Sequence, residues 1–262
     1  MPEGHTIHRI ARDHSEWLGQ QRLIVQSPQG RFSEGAQRLS GKVLRSVSAH
    51  GKHLFYHWNQ RLITHVHLGL YGKFRSHSNP APPPRGAVRM RLIGNRTAVD
   101  LNGPTCCEII DRAGFQKIKS RLGEDPLRDD ADAEVVWGKI CKTRSPIGRV
   151  LLDQSVIAGV GNVYRAEILF LMGMHPEKPA NEIDRLGFEE MWMMTVDLLK
   201  VGVEQNQIIT AGLTKNRKVG RRRVVERLNV YRRSQCLVCG SVVKKWKLGQ
   251  RTIYACGNCQ TL

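Results

Sequence analysis

The chain has few acidic residues, no long apolar run and no set of pairable cysteines spread along its length. Asp and Glu total 23 against 41 Lys and Arg, a net charge of +18. The lack of about 20 consecutive apolar residues excludes a bilayer-spanning helix. The polar start Met1-Pro2-Glu3-Gly4-His5 is unlike a signal peptide. We therefore expect a cytoplasmic protein without a membrane anchor, whose charge favours a polyanion such as nucleic acid over the alternative, a membrane surface.

The seven cysteines fall into two groups. Cys106, Cys107 and Cys141 have no regular spacing and are interpreted as small buried residues in a reducing compartment. The other four close the chain as Cys236-x2-Cys239-x16-Cys256-x2-Cys259. Two such Cys-x2-Cys pairs predict a tetrahedral four-thiolate site for one structural Zn²⁺, with a pair of disulfides or small core residues as the alternatives. The Val, Trp, Ile and Tyr residues around Leu248-Gly249 predict a hairpin between the pairs.

The first part of the chain reads as a β-sandwich or barrel. Six short runs with strand-like alternation start at Arg22, Lys42, His53, Arg61, Val88 and Thr97. The proline-rich segment 79–86 predicts an exposed loop and excludes a central strand there. Ahead of the strands, Thr6 to Leu18 has helical periodicity, and Thr6 is the predicted cap.

A change of composition near residues 122–130 indicates a linker to a helical part. Helices are predicted at 133–142, 147–155, 161–171 and 188–203. Between them and the hairpin, Lys215–Arg233 holds nine Lys or Arg and one Glu, a run suited to a phosphate backbone. The predicted fold class is α+β and multidomain: an N-terminal β-sandwich with its helix in 1–120, a helical DNA-binding domain in 130–225 and a zinc finger in 228–262.

Candidate catalytic residues lie at the start of the chain and at one turn. Removal of Met1 would leave Pro2 as a secondary amine with a pKa near the ordinary α-amino value of about 8, able to attack a sugar C1′ and form an iminium. Glu3 is an adjacent carboxylate that can move protons. Lys52, in Gly51-Lys52-His53, supplies a cation or general acid at a turn.

Five separated motifs, spread over essentially the whole chain, resemble the formamidopyrimidine-DNA glycosylase and endonuclease VIII family. They are Pro2-Glu3-Gly4, Gly51-Lys52, the segment 67–74, the segment 153–167 with Gly159-Val160-Gly161-Asn162, and the terminal finger. The resemblance implies a β-sandwich, a helix-two-turns-helix domain and a zinc finger, acting as a bifunctional DNA glycosylase and AP lyase of base excision repair. Pro2 would be the nucleophile, Glu3 and Lys52 would assist proton transfer, and β,δ-elimination would cut the strand.

The resemblance also implies DNA contacts. Leu70, beside Tyr71, would fill the gap left by an everted base, although a core position is the alternative. Asn162 would meet a phosphate at a helix start, where capping is an alternative or additional role. Arg251 would grip phosphates at the lesion. His65 and His67 share a strand face, but no third ligand is evident from spacing, so both are interpreted as packed or phosphate-near residues.

The motifs depart from the family pattern at His5 and Thr6, where Pro-Glu is usual. The second carboxylate available for proton transfer is therefore missing. Gly4, Leu70-Tyr71 and the segment 210–218 favour the endonuclease VIII branch, of actinobacterial type, and oxidised pyrimidines as substrates. The expected partner is double-stranded DNA with damaged bases or abasic sites, bound by a monomer associated with the nucleoid. The alternatives are a non-catalytic zinc-finger nucleic-acid-binding protein on the same scaffold and a ribosome-associated basic protein.

Overall fold

The computed structural model of the chain describes residues 2–212 and 227–261. It divides into two compact units, residues 1–121 and 122–262. Most of the basic run Lys215–Arg233, and most of the segment 210–218 used above for the branch assignment, lie outside the described residues. Within the described ranges, no helix is long and apolar enough to cross a bilayer.

The first unit starts with helix α1 (Gly4–Leu18), which buries Ile7, Ala11 and Leu18. Their spacing of four and seven places them on one helix face, so the sequence pattern predicted this helix correctly. The cap prediction was wrong, because Glu3 is the N-cap residue and Thr6 lies inside the first turn. The two extra residues extend the helix up to the candidate catalytic residues.

Two antiparallel sheets form the predicted β-sandwich. One has the order β1 (Gln21–Arg22), β3 (Val43–His50), β4 (His53–Trp58), β5 (Ile63–His67) and β9 (Cys106–Ile110). The other has the order β2 (Ile24–Gln26), β7 (Val88–Ile93), β8 (Thr97–Asn102) and β6 (Lys73–Ser78). Alternate residues of both sheets share one buried core, which includes Leu54, Tyr56, Met90 and Leu101. Two-residue periodicity therefore predicted the architecture, because one face of each sheet is buried.

Three elements of this unit were not predicted. Helices α2 (Ser33–Leu39) and α3 (Arg112–Lys119) are only 7 and 8 residues long, too short for a clear periodic signal. Strand β9 has no buried–exposed alternation, since most of its residues are partly buried. It pairs with β5, so that Glu108 lies opposite His65 and Cys106 lies opposite His67.

A buried ion pair links two strands of the second sheet. Arg91 in β7 donates two hydrogen bonds to the carboxylate of Asp100 in β8, at 2.6 and 2.7 Å. Both residues are less than 5 % exposed. We expect Arg91→Met to lower the free energy of unfolding by about 3–5 kcal/mol, because Asp100 would remain as a buried charge without its main partner. Urea unfolding measures this loss, and Arg91→Met combined with Asp100→Leu should recover most of it; no recovery would contradict the explanation.

The described residues of the second unit include the α-helices α4 (Ala133–Ile140), α5 (Ile147–Val150), α6 (Asn162–Leu171) and α7 (Arg185–Gln205). All four predicted helical regions contain a helix, but α5 is shorter than expected. Asp153 accepts hydrogen bonds from the backbone N–H and hydroxyl of Ser155, at 2.9 and 2.6 Å. Such local bonding favours a turn over helix continuation. Helix α7 is longer, because Asp184 caps it and Asn206 ends it in a left-handed conformation.

The predicted C-terminal hairpin is present in the second unit. Strands β10 (Val243–Leu248) and β11 (Arg251–Cys256) pair antiparallel around Gly249, whose φ is +67°. Val243, Leu248 and Ile253 pack with Ala166 and Phe170 of α6 in one buried cluster. The hairpin therefore shares a core with the helix that begins at Asn162.

Candidate functional site

Pro2 and Glu3 lie at the start of α1. Pro2 is partly buried, and Glu3 is fully buried at the N-cap position. The backbone carbonyl of Glu3 accepts hydrogen bonds from the N–H groups of Thr6 and Ile7, at 2.9 and 3.4 Å. A carboxylate here lies at the positive end of the helix dipole. The fold thus holds an enclosed carboxylate next to residue 2.

Two contacts fix the direction of α1 relative to strand β3. Gln20, just after the helix, donates to Leu44, and Ser15 bonds to Val47. Helix α1 and strand β3 therefore run antiparallel to each other. Measured from the Ser15–Val47 contact, Glu3 is about 18 Å away along the helix and Lys52 is about 17 Å away along the strand. Glu3 and Lys52 consequently lie at the same end of the sandwich.

Lys52 is at the second position of the two-residue turn between β3 and β4. His50 pairs with His53 across this turn, and Gly51 has φ of +57°. A glycine at the first central position suits the tight hairpin turns that match strand twist. The Lys52 ammonium is also close enough to His67 to lower the pKa of that imidazole, after the larger effects of burial and of His65. Lys52 therefore borders a group of histidines on the five-stranded sheet.

His5 replaces an acidic family position, and burial lowers the pKa of its imidazole to about 4. It is therefore neutral at pH 7. Its Nε2 lies 3.1 Å from the hydroxyl of Thr6. The two departures from the family pattern thus form a neutral hydrogen-bonded pair inside the first turn of α1. Glu3 is the only carboxylate among the four residues Glu3 to Thr6.

The turn between β5 and β6 exposes two large apolar residues. Leu70 is 51 % exposed and Tyr71 is 86 % exposed, whereas Leu68 is buried. Gly69 has φ of +65°, and a Cβ on Gly72 would lie 2.3 Å from the carbonyl oxygen of Leu68. This tight turn therefore requires both glycines. It projects Leu70 outward, so the core interpretation of Leu70 is wrong.

Asn162 begins α6 and connects it to the hairpin. Gly161 is the N-cap residue, so the capping interpretation of Asn162 was wrong. The Asn162 amide donates to the backbone carbonyl of Thr252 at 3.0 Å. Fully buried Arg165 donates to Asn162 Oδ1, to the same Thr252 carbonyl at 3.2 Å and to the carbonyl of Gly148 at 2.9 Å. These bonds fix the backbone of β11 at Thr252, next to exposed Arg251, beside the start of α6.

The four C-terminal cysteines form a cluster that can hold a metal ion. Their sulfur atoms all lie within 4.8 Å of one another. The Sγ–Sγ distances are 3.4 Å for Cys239–Cys256 and 4.0 Å for Cys236–Cys259. A disulfide needs about 2.05 Å, whereas a tetrahedral ion with 2.3 Å metal–sulfur bonds needs about 3.8 Å. Hydrogen bonds from Ser241 lower the pKa of Cys239 to about 5, whereas burial raises the pKa of Cys236 and of Cys259, so the sulfur–sulfur distances carry the assignment. The residues fit a four-coordinate metal and not two disulfides.

Glu167 is a fully buried carboxylate that pattern analysis did not single out. It accepts hydrogen bonds from the Thr210 hydroxyl, the backbone N–H groups of Asn229, Val230 and Tyr231 and the Asn229 amide, at 2.5–3.0 Å. It therefore joins α6 to chain on both sides of the segment 213–226, which lies outside the described residues. Its partners are 43 to 64 residues away in sequence, so no local signal could have revealed it.

Replacement of Glu167 should be strongly destabilising. Glu167→Gln would place an amide NH₂ group against N–H and O–H donors that need an acceptor. We expect the free energy of unfolding to fall by about 3 kcal/mol. Glu189→Gln is the matched control, because Glu189 makes an exposed pair with Arg185 and should cost less than about 1 kcal/mol. Urea unfolding of both variants tests this. Equal losses would show that Glu167 does not organise the unit.

Comparison with known proteins identifies the family. The formamidopyrimidine-DNA glycosylase N-terminal domain matches residues 1–104, and the H2TH domain of the same enzymes matches residues 122–213. Over 268 aligned positions covering all of both chains, the sequence is 44 % identical to endonuclease 8 1 of Mycobacterium tuberculosis. It is 29 % identical to the formamidopyrimidine-DNA glycosylase of Shewanella halifaxensis, over 92 % of this chain and 91 % of that one.

The solved structures agree on the fold. A glycine-to-proline mutant of Lactococcus lactis Fpg in complex with Fapy-dG-containing DNA has a TM-score of 0.81 and 22 % identity, with both chains covered completely. Architecture and sequence together define a DNA glycosylase class with a β-sandwich, an H2TH region and a four-cysteine hairpin. The chain belongs to the formamidopyrimidine-DNA glycosylase and endonuclease VIII family of DNA-repair enzymes.

Proposed function

We propose that this protein is a bifunctional DNA glycosylase and AP lyase that uses Pro2 as its nucleophile. One observation carries the proposal: buried Glu3, next to Pro2, lies at the same end of the sandwich as Lys52. An amine, a carboxylate and an ammonium group are the groups needed for Schiff-base chemistry on a sugar. Family membership supports the same assignment.

The proposed reaction starts once Met1 has been removed. The nitrogen lone pair of Pro2 attacks C1′ of an everted nucleotide, and the base leaves with the electrons of the glycosidic bond. Glu3 protonates or polarises the sugar ring oxygen as the ring opens, which leaves an iminium between Pro2 and C1′. The Pro2 N–H proton is lost as this iminium forms. Loss of a C2′ proton then expels the 3′ phosphate by β-elimination, loss of a C4′ proton expels the 5′ phosphate by δ-elimination, and water releases the sugar remnant from Pro2. Lys52 would assist proton transfer and bind a phosphate.

Double-stranded DNA with a damaged base or an abasic site is the proposed partner. The positive net charge of the chain, the exposed Arg251 and the backbone N–H groups at the start of α6 suit phosphate binding. The relatives from Lactococcus lactis bind Fapy-dG-containing or abasic-site DNA, which supports the choice of partner. We propose that the protein acts as a monomer in the cytoplasm, associated with the nucleoid, and that its three functional parts correspond to residues 1–120, 130–225 and 228–262.

We propose Zn²⁺ as the metal of the four-cysteine cluster. Four thiolates in tetrahedral arrangement are typical of structural zinc and leave no position open for water or substrate. The ion would supply folding free energy and no chemistry. Its proposed effect on DNA is indirect, through the hairpin that carries Arg251.

Oxidised pyrimidines are the proposed substrates. Higher identity to a protein named endonuclease 8 than to the formamidopyrimidine-DNA glycosylases supports this preference. Incision of duplexes carrying thymine glycol, 8-oxoguanine, Fapy-guanine or an abasic site tests it. Preferred cleavage at thymine glycol is expected, and preferred cleavage at the purine lesions would contradict it. Binding without cleavage at any lesion would instead support the non-catalytic alternative.

Leu70 is proposed to fill the space left by the everted base. We expect Leu70→Ala to lower the excision rate by about 10–100-fold, because intercalating side chains offset a few kcal/mol of base unstacking. Cleavage of a preformed abasic site in single-stranded DNA should change far less. Ile24→Ala is the control, since Ile24 is similarly exposed, at 54 %, on the same unit. Single-turnover incision measures the effect, and equal rates for both variants would exclude this role.

A further inference from the structure

The outer face of the five-stranded sheet carries a compact group of metal-binding side chains. His53 of β4, His65 and His67 of β5, and Cys106 and Glu108 of β9 lie on this face. Leu54, Val66 and Cys107, which alternate with them, belong to or pack against the core on the other face. Spacing alone showed only the His65–His67 pair. Strand β9 adds Cys106 and Glu108, which the sequence pattern did not connect with the histidines.

Three of these side chains converge. The ligand atoms of His65, Cys106 and Glu108 all lie within 4.8 Å of one another. His65 Nδ1 is 3.6 Å from Cys106 Sγ and 3.0 Å from a Glu108 carboxylate oxygen. Ordinary zinc bond lengths in tetrahedral geometry require about 3.5 Å between nitrogen and sulfur and about 3.4 Å between nitrogen and oxygen. The nitrogen–sulfur distance fits within about 0.1 Å, and the nitrogen–oxygen distance must lengthen by a few tenths of an ångström, which the 52 % exposed Glu108 side chain can accommodate.

His53 supplies the outer support that a metal-bound histidine needs. Its Nδ1 lies 2.9 Å from His65 Nε2, on the side of the ring away from Glu108. Metal-binding histidines nearly always use their second nitrogen in such a hydrogen bond, which fixes the orientation of the ring. The imidazole rings of His53 and His65 also stack, with centroids 5.1 Å apart. The ligand ring is thus held before any ion binds.

We propose that His65 Nδ1, Cys106 Sγ and a Glu108 carboxylate oxygen form a second, exchangeable site for a divalent thiophilic cation of the zinc class. A nitrogen, a sulfur and an oxygen donor suit such an ion, and three protein ligands leave a fourth position open to water. The positive charges of Arg121 and Lys52 lie close enough to act on His65 and on the neighbouring His67, respectively. Their repulsion makes the affinity lower than that of the four-cysteine cluster.

Metal binding at this site requires a change of tautomer. Without metal, the Nδ1–H of His65 donates to Glu108, and the Nδ1–H of His53 donates to His65 Nε2. Coordination displaces the Nδ1 proton of His65. The Nδ1 proton of His53 then moves to His65 Nε2, so that His65 becomes the donor and His53 the acceptor of their hydrogen bond. His53 Nε2 gains a proton from solvent. The imidazoles therefore release no net proton, and the Cys106 thiol releases one to solvent.

Cobalt titration of the zinc-loaded full chain tests the proposal. Zinc fills the four-cysteine cluster, so we expect about one further equivalent of Co²⁺ to bind, with a sulfur-to-cobalt charge-transfer band. Cys106→Ser should abolish the band, and Glu108→Gln should weaken binding at least about tenfold, the loss of one ligand. Cys141→Ser is the matched control for an exposed thiol and should keep the band.

Three results would overturn the proposal: no saturable band, an equal band in Cys106→Ser, or zinc release that accounts for all cobalt uptake. Nitrogen-15 spectra of the histidines provide a second measurement that does not depend on thiolate absorption. Addition of cadmium or zinc should convert His65 to the form with hydrogen on Nε2. If the His65 tautomer does not change at high metal concentration, His53, His65 and Glu108 form only a hydrogen-bonded chain, and the proposed metal site is wrong.

Discussion

A two-residue N-terminal extension that remains attached ahead of Pro2 should abolish the covalent chemistry. The Pro2 nitrogen would become an amide, whose lone pair is delocalised and cannot attack C1′. We expect borohydride trapping on abasic-site DNA to fall by at least about a thousandfold, as for loss of other enzyme nucleophiles. Gel analysis of the trapped complex measures this loss.

The matched control for the extension carries the same two residues followed by a protease site that restores Pro2 as the first residue. Cleavage should restore trapping, because every other side chain is unchanged. DNA binding without trapping is expected before cleavage. Full trapping by the extended protein would mean that another amine, such as Lys52, is the nucleophile.

Loss of metal binding at the four-cysteine cluster should strongly reduce both the stability of the hairpin and the affinity for DNA. Cys256→Ser takes away one of four ligands, and structural zinc in such sites contributes about 10–16 kcal/mol of apparent binding free energy. We expect loss of the hairpin fold, since Cys256 also lies in the small core shared with α6. DNA affinity should fall by at least about tenfold, because the strand that carries Arg251 would no longer be anchored to Asn162 and Arg165 through the Thr252 carbonyl.

Circular dichroism, metal analysis and a DNA-binding titration of Cys256→Ser measure these effects. Cys141→Ser is the control, since Cys141 is exposed and outside the cluster. Unchanged hairpin structure and unchanged affinity after metal loss would contradict a structural role for the ion.

Local patterns predicted the parts of this protein that have local causes. The cysteine spacing predicted the four-cysteine cluster because each Cys-x2-Cys pair is a short-range arrangement. Two-residue alternation predicted the sandwich, and the spacing of Ile7, Ala11 and Leu18 predicted α1. Pro2, Glu3 and Lys52 were singled out by motif, and the contacts between α1 and β3 bring Glu3 and Lys52 to one end of the first unit.

The features that were missed depend on residues far apart in the sequence. Arg165 reaches Thr252, and Glu167 reaches Thr210 and Tyr231, so their roles exist only in the folded chain. Strand β9 has no alternation, which hid the contact of Cys106 and Glu108 with His65. Capping was misassigned twice, at Thr6 and Asn162, because a favourable cap residue type lay one to three positions inside the helix.

The most direct test is to locate the covalent bond. Wild-type protein with Met1 removed is reduced by borohydride in the presence of abasic-site DNA, digested, and its peptides are sequenced by mass spectrometry. We expect the sugar remnant on the nitrogen of the peptide that begins Pro2-Glu3-Gly4. A remnant on Lys52 or any other lysine, or an active enzyme that keeps Met1, would contradict the assignment of Pro2 as the nucleophile.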